Sequence, residues 1–488
     1  MGTFPSLSSP ARRASRGTRS ESRSRDHKGS RSITDGTGMM SEADAAQAVD
    51  PGTLIRSREY RRLLVVAAII GVVVSLASWA FLELIHWIQE WVYQDLPNGL
   101  GYESRPTWWP APVLLVAGIV TAYAVRLPGG GGHVPYKGLA GGATPPNAVP
   151  GVVLAALASI GLGLVLGPEA PLIALGSGLA VFAVKRAKTG ATDRAVSVIA
   201  ASAAFAALAT IFGSPIVGAV ILIEAAGLGG TLLPLILLPG LMSAGIGSLV
   251  FIGVGSWTGL NSSDYSLAPF SLPDYPSPTM ADFAWTVPLS MVAALVAFAV
   301  VQLARASAQV VGKNPWVLTP AAGLVVALLA ITFEKSTGQT GDVVLFSGQD
   351  AFSSLLSRSG SLSLWTLFLL IVLKGMAWSV SLGSFRGGPT FPALFIGAAG
   401  GLMAAQLPGY SETPAVAALM AASTVSILRL PLSSVVITLL LTSRSGAGVA
   451  PIIIVAVVVA YITIETLDFV RTRRRMSPTA VSPGTTKR

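Results

Sequence analysis

The chain lacks the residues on which many catalytic and metal centres depend. It has 488 residues with no cysteine and only three histidines. The absence of cysteine excludes disulfides, thiolate metal sites and cysteine nucleophiles. No HExxH motif is present, and so few histidines leave little room for a zinc or haem site. We therefore expect no metal ion, no cofactor and no enzymatic activity.

Charged side chains are also scarce. They make up 11% of the residues, whereas 52% are hydrophobic. Soluble domains carry about 25% charged residues, and long apolar runs like those found here are typical of helices that cross a bilayer. The runs do not alternate with polar residues, which excludes a barrel of short strands. The composition predicts a multi-pass, all-α membrane protein.

The charge that is present is basic and lies mainly at the two ends. The net charge is +10, with many arginines before the first apolar run and a basic cluster at residues 471–475 after the last one. The positive-inside rule then predicts cytoplasmic termini and an even number of crossings. We expect the membrane to be the cell (inner) membrane. No aromatic-interleaved basic fold is present, so we do not expect nucleic-acid binding. The N-terminal tail is either a solvated leader or a contact to anionic membrane lipid.

Changes in composition divide the chain into five parts. The first apolar run starts near Leu63, too late for a signal peptide, and a polar stretch containing Asn261 and Asp264 separates two apolar halves. The parts are a disordered basic cytoplasmic tail, a first transmembrane repeat, a connecting loop, a second transmembrane repeat and a short cytoplasmic tail. Their expected bounds are, in that order, residues 1–57, 58–256, 257–283, 284–470 and 471–488.

The two apolar halves share a motif. Residues 167–176 and 388–397 both read GPxxP, four apolar residues and glycine, at an offset of 388 − 167 = 221 residues. A weaker match joins residues 214–221 to residues 430–437, with the aligned prolines 431 − 215 = 216 residues apart. Two matches in the same order predict an internal repeat. The pattern alone leaves open whether the two halves are parallel or inverted.

Each GPxxP motif predicts a helix start inside the membrane. Proline is tolerated at the beginning of a helix, and the N–H groups that follow it, at Glu169–Ala170 and Thr390–Phe391, have no partner within the helix. Such helix N-termini bind anions. We expect the Glu169 carboxylate to compete with an anion and to swing away when it is displaced or protonated, which would make it a gate and a proton carrier. The alternatives are that Glu169 only caps its own helix and that the second break only permits packing.

Three further positions are weaker candidates. A glycine run at residues 129–132 lets the N–H groups of Gly131 and Gly132 approach a ligand closely, although it is equally typical of a loop. His133 follows the run and either contacts the ion or is an ordinary polar residue. Glu224 ends an apolar run, either on a proton route or at the membrane interface.

In these motifs the chain resembles the CLC family of chloride channels and chloride/proton antiporters. The resemblance covers about residues 60–470 and rests on the glycine run, on residues 167–171, on residues 214–224 and on residues 388–392. It implies an all-α fold of two inverted repeats of broken and tilted helices, and a homodimer with one pore per subunit. It also implies that Glu169 is the gating glutamate.

Several positions depart from the family pattern. Gly131 stands where the family offers a serine hydroxyl, and counting back from Pro451 assigns Gly446 to the position of its tyrosine donor. Thr390 stands at the usual phenylalanine and can compensate for one lost donor. The inner proton glutamate of many antiporters would fall at Ala225, next to Glu224, which leaves channel and antiporter both open.

The sequence thus predicts transport of chloride or a similar small anion, gated by Glu169. One alternative is a fluoride-handling member of the same group. Another is an unrelated transporter of an organic anion, which would need a dedicated arginine or lysine at the site. An intramembrane serine protease using Ser177 is disfavoured, because neither His86 nor His133 lies in a recognisable pairing with it.

Overall fold

Helices account for nearly all of the described structure. The computed structural model describes residues 55–139, 142–187, 192–225, 233–258 and 268–476. Asn261 and Asp264, most of the predicted N-terminal tail and residues 477–488 of the predicted C-terminal tail lie outside these residues. Within the described ranges, the one β feature is an isolated antiparallel bridge between Gly167 and Gly388.

Fourteen helices of eight or more residues lie in the described ranges, seven in each half. The first seven are α1 Arg58–Glu90, α2 Pro110–Ala124, α3 Val149–Ala156, α4 Glu169–Arg186, α5 Asp193–Phe212, α6 Pro215–Ala225 and α7 Leu233–Thr258. The second seven are α8 Met280–Val311, α9 Pro315–Thr337, α10 Leu364–Ser384, α11 Thr390–Ala404, α12 Glu412–Leu428, α13 Pro431–Leu441 and α14 Val449–Met476. Shorter helical pieces are Trp91–Asp95, Leu96–Gly99, Pro135–Lys137, Pro146–Ala148, Leu157–Gly161, Gly341–Val343, Ala351–Ser357, Ser359–Ser361 and Ser443–Ser445.

The two halves repeat the same packing. Helices α1, α5 and α7 pack against one another in the first half, and α8, α12 and α14 do so in the second. Helix α4 packs on α5 as α11 packs on α12. The predicted fold class, an all-α membrane protein built from two repeats, is confirmed. The domain boundaries stay predictions.

The bridge at the centre explains how the repeats are related. Gly167 donates its N–H to the carbonyl oxygen of Gly388 at 2.8 Å, and Gly388 donates back to Gly167 at 2.5 Å. These two glycines are equivalent positions of the two repeats. Reciprocal antiparallel pairing of equivalent residues is what a two-fold relation requires. The repeats are therefore inverted with respect to each other at this point.

The apolar pattern continues without interruption through two segments, and the structure divides each of them into two helices. The break between α5 and α6 falls at Gly213, and the break between α12 and α13 falls at Arg429. Both residues adopt a left-handed backbone, with φ of 61° and 59°. Prolines at 215 and 431 then start the next helix, because proline fits the first turn but not a helix interior. The matching breaks extend the internal repeat to a second pair of helix starts.

Seven of the described helices are long and apolar enough to cross a bilayer. Six shorter apolar helices, among them α6, α11 and α13, accompany them. Many large apolar side chains on the long helices are exposed, such as Ile69 at 59% and Leu249 at 71%. In water such a surface would be costly, whereas in lipid it is matched to its surroundings. The chain is a multi-pass membrane protein.

Candidate functional site

The two GPxxP segments lie against each other, joined through their backbones, at the centre of the fold. Gly167 and Gly388 pair through their backbones immediately before α4 and α11 begin. A Cβ atom added to either glycine would overlap the carboxyl group of Glu169. Only glycine at both positions leaves room for the carboxylate in this arrangement, because the carboxylate and the two backbones approach so closely.

Glu169 reaches from the first repeat to the second. It is the first residue of α4 and its side chain is fully buried. Its Oε1 accepts a hydrogen bond from the backbone N–H of Thr390, 2.5 Å away, where α11 begins. The partial positive charge of that helix N-terminus stabilises a carboxylate. The structure thus brings together the two helix starts that the sequence singled out.

Two polar atoms at this contact have no partner. Glu169 Oε2 and Thr390 Oγ1 are both sealed from solvent and make no hydrogen bond. Buried polar atoms are nearly always paired, so two orphans at one contact need an explanation. An anion would accept a hydrogen bond from the Thr390 hydroxyl, and a proton would neutralise the Glu169 carboxylate. This chemistry suits a site that alternates between occupants.

The neighbouring helix-start residues lie in the same buried region. Ala170 follows Glu169 and is 5% exposed, and Phe391 follows Thr390 and is fully buried. The Phe391 ring stacks on the ring of Phe212, with centroids 5.7 Å apart. No side chain caps the start of α4 from within its own turn. The N–H of Ala170 therefore stays free for a ligand.

The loop that leads into Glu169 is held by the second repeat. Gly163 accepts a hydrogen bond from the N–H of Phe346 at 3.0 Å, and Val165 donates its N–H to the Ser381 hydroxyl at 3.3 Å. Tyr93 adds a hydrogen bond from its hydroxyl to the carbonyl of the preceding residue, Leu162, at 2.9 Å. The position of Glu169 is therefore set by contacts far away in the sequence.

A buried lysine stabilises the segment that supplies one of these contacts. Lys374 on α10 is fully buried, and its Nζ donates to the carbonyl oxygens of residues 343–346, with Val343 and Leu345 both at 2.8 Å. The ammonium group also lies 4.6 Å from the centre of the Phe395 ring. Carbonyl oxygens and an aromatic face together solvate a cation that has no carboxylate partner within the described ranges.

The glycine run lies close to the second repeat, next to this site. All four glycines from Gly129 to Gly132 have positive φ, between 61° and 100°. Only glycine adopts this conformation repeatedly without strain. The carbonyl of Gly130 accepts a hydrogen bond at 3.3 Å from Arg386, which precedes Thr390 by four residues. No hydrogen bond joins the run to Glu169 within the part of the chain that the structure describes.

The remaining candidates lie in other surroundings. His133 Nε2 is buried without a partner. Gly446 lies against the backbone carbonyl of Tyr275, in the segment that connects the repeats. The carboxylate of Glu224 accepts hydrogen bonds from the N–H of Leu432 at 2.8 Å and from the N–H and hydroxyl of Ser433 at 2.7 and 2.6 Å. Glu224 therefore binds the N-terminus of α13, as Glu169 binds that of α11.

Sequence reasoning missed Arg386 and the polar side chains around it. Ser159 accepts a hydrogen bond from the Arg386 backbone N–H, and Ser381 accepts one from Val165. The available signal was an arginine directly before Gly387 in an apolar stretch, which marks a functional candidate by itself. The serines carried no such signal, because their partners are distant in sequence.

The chain matches known proteins over most of its length. Residues 136–465 match the family described as "Voltage gated chloride channel". The chain belongs to this family. Among curated relatives, the "Putative ion-transport protein YfeO" of Escherichia fergusonii is 29% identical over 358 residues, which cover 71% of this chain and 80% of the relative. The protein of the same description from Escherichia coli O1:K1 / APEC is 30% identical, with the same coverage.

Solved structures share the CLC fold. A slow cyanobacterial Cl⁻/H⁺ antiporter superposes with a TM-score of 0.66 at 18% identity, over 86% of this chain and 99% of the other. A CLC-type fluoride/proton antiporter gives a TM-score of 0.61 at 19% identity, over 82% and 95%. The fold is therefore that of CLC-type channels and antiporters.

Proposed function

We propose that this CLC-family protein carries chloride or a similarly small anion across the cell membrane, with Glu169 as its gate. The observation that supports this best is the hydrogen bond from the Thr390 N–H to the Glu169 carboxylate, across the two repeats. A carboxylate bound to a helix N-terminus occupies the place that a free anion would take. Exchange of one for the other keeps one negative charge at the helix start.

The two unpaired polar atoms, Glu169 Oε2 and Thr390 Oγ1, support a mechanism for this gate. When an anion replaces Glu169, the Thr390 hydroxyl has an acceptor for the hydrogen bond that it lacks in the closed arrangement. When Glu169 is protonated, its carboxyl group no longer competes as an anion and leaves the N–H of Thr390. The N–H groups of Ala170 and Phe391 complete the replacement of the hydration shell. Glu169 would then carry a proton in an antiporter or only open the pore in a channel.

The other candidates have supporting roles in this proposal. Gly131 offers its backbone N–H group further along the anion path, with His133 near it and Gly446 as a peripheral member. Gly132, whose N–H donates to the carbonyl oxygen of Gly129 at 3.0 Å, holds the turn that presents Gly131. Glu224 serves a proton route from its place at the start of α13. We further propose a homodimer in the inner membrane with both termini in the cytoplasm.

Fluoride is the second candidate substrate. The buried, unpaired hydroxyl of Thr390 supports it, since a small anion of high charge density gains most from a strong O–H donor. Competition between chloride and fluoride in a liposome flux assay separates the two. Faster fluoride than chloride transport would replace chloride as the proposed substrate.

Substitution of Glu169 tests the gate. Glu169→Ala and Glu169→Gln remove the ionisable group, so anion flux should persist while its pH dependence or its coupling to protons is lost. The measurement is chloride efflux and proton uptake by vesicles containing the purified protein. Intact proton-coupled chloride exchange by the Glu169→Ala variant would show that the gate assignment is wrong.

A further inference from the structure

Arg386 brings a positive charge to the segment between α10 and α11. Its side chain joins that segment to the glycine run, because its Nε donates to the carbonyl oxygen of Gly130 at 3.3 Å. Its Nη1 donates to the carbonyl oxygen of Phe385 at 3.1 Å, and its backbone N–H donates to the Ser159 hydroxyl at 3.3 Å. Two residues further on, Gly388 lies against the Glu169 carboxylate. The segment that carries Arg386 therefore borders the proposed anion site, and the guanidinium points to the glycine run.

No carboxylate neutralises this charge. Arg386 is half-buried and forms no ion pair with any described residue, whereas Arg105 and Arg429 each pair with two carboxylates. Its Nη2 makes no hydrogen bond within the same residues. Side-chain charges that leave water are normally paired, and guanidinium does not lose its proton to avoid the cost. A permanent, unpaired cation at this depth favours a mobile anion as its partner.

A second unused donor lies beside it. Gly131 follows Gly130 directly, is buried, and its N–H makes no hydrogen bond within the described ranges. His133 Nε2 is also buried without a partner. An orphan N–H next to an unpaired guanidinium is a set of donors that lacks an acceptor.

We propose that Arg386 binds the transported anion on the glycine-run side of Glu169 and sets its affinity. This inference rests on the proposed anion transport. Arg386 supplies the donor strength that this chain lacks at Gly131 and Gly446, where the family resemblance led us to expect hydroxyl donors. The planar guanidinium fork pairs with planar oxyanions through two parallel hydrogen bonds, so it also raises the affinity for nitrate relative to chloride.

Arg386→Gln tests the charge. Loss of a hydrogen bond to a charged partner lowers an affinity roughly 10- to 150-fold. We therefore expect the half-saturating chloride concentration for vesicle flux to rise by at least roughly tenfold, with the maximal rate and the Glu169-dependent pH response retained. Arg126→Gln is the matched control, because it removes an exposed arginine that lies over the Trp316 ring near the same glycine run. It should leave the half-saturating concentration unchanged.

Arg386→Lys separates charge from geometry and remains informative if the glutamine variant fails to fold. Lysine keeps the charge but not the fork, so chloride affinity should largely recover while the nitrate-to-chloride selectivity falls below that of the wild type. A role only in folding would alter neither half-saturation nor selectivity. Unchanged half-saturation in Arg386→Gln, an equal shift in Arg126→Gln, or unaltered selectivity in Arg386→Lys would each overturn the inference. A wild-type protein that moves no small anion would instead refute the proposed function itself.

Discussion

Substitution of Gly388 by alanine should open the gate, although residue 169 remains glutamate. Gly388 is not among the residues with positive φ, so alanine fits its backbone. The three heavy atoms nearest to an added Cβ are the carboxyl carbon and both carboxyl oxygens of Glu169. The end of a flexible side chain can move away, whereas a packed backbone cannot. Gly388→Ala should therefore displace the carboxylate and little else.

The size of the effect follows from the contact that is lost. Displacement breaks the hydrogen bond from the Thr390 N–H to Glu169 Oε1. A hydrogen bond to a charged group contributes about 1.5–3 kcal/mol. That energy corresponds to a shift of roughly 10- to 150-fold toward the open arrangement. Alanine also restricts the unfolded chain, which offsets the cost by about 0.4–1 kcal/mol, so the variant should remain folded.

Chloride efflux from vesicles measures the outcome. Wild-type efflux should increase as the pH is lowered from about 7.5 to about 4.3, the ordinary pKa of a glutamate carboxyl group, because Glu169 becomes neutralised. Gly388→Ala should be fast and independent of pH. Gly400→Ala, in the helix α11 that follows Gly388, is the control, since the nearest atom to its added Cβ, apart from its chain neighbours and the backbone of its own helix, is 3.5 Å away. A folded Gly388→Ala protein with the wild-type pH response would refute the steric argument.

Two further substitutions test contacts outside the gate. Lys374→Met leaves the carbonyl oxygens of residues 343–346 without their donor. Each unsatisfied buried group costs about 1–3 kcal/mol, and removal of the buried charge offsets part of that cost. We therefore expect the free energy of unfolding to fall by about 2–4 kcal/mol. Thermal unfolding of the detergent-solubilised protein measures this, with the exposed Lys335→Met as control. Glu224→Gln replaces one of the two carboxylate oxygens that bind the start of α13 by an amide donor, which then faces an N–H group of Leu432 or Ser433. We expect the free energy of unfolding to fall by about 1–3 kcal/mol. If Glu224 also serves a proton route, proton uptake should fall more than chloride flux.

Each of these two predictions has a clear contrary result. Equal melting temperatures for Lys374→Met and Lys335→Met would mean that the carbonyl oxygens find other partners. Unchanged proton uptake by a stable Glu224→Gln protein, in vesicles where the wild type takes up protons, would remove Glu224 from the proton route and leave it as a helix cap.

The local sequence pattern predicted where the two helices begin but not that their N-termini contact each other. Proline after glycine and the 221-residue offset between residues 167 and 388 were enough to locate the beginnings of α4 and α11 and to predict an internal repeat. Those features depend on backbone geometry within a few residues. The hydrogen bond between Glu169 and Thr390 depends instead on how the two repeats pack. A single sequence contains no direct record of that packing.

The partners of the isolated charges were unpredictable for the same reason. Lys374 is solvated by carbonyl oxygens, and a carbonyl oxygen is present at every residue and therefore carries no sequence signal. Glu224 binds backbone N–H groups of α13, which likewise occur at almost every residue and carry no sequence signal. Arg386 could have been noticed as a charge in an apolar stretch. Its lack of a carboxylate partner became apparent only from the surrounding structure.

The central claim is that the protein moves small anions past Glu169. The direct test reconstitutes the wild-type chain in liposomes, imposes an outward chloride gradient and records chloride efflux and external pH together. We expect efflux well above that of protein-free vesicles and faster at acidic pH, with uphill proton movement in an antiporter and none in a channel. Efflux no faster than from protein-free vesicles, for chloride, nitrate and fluoride alike, would contradict the account.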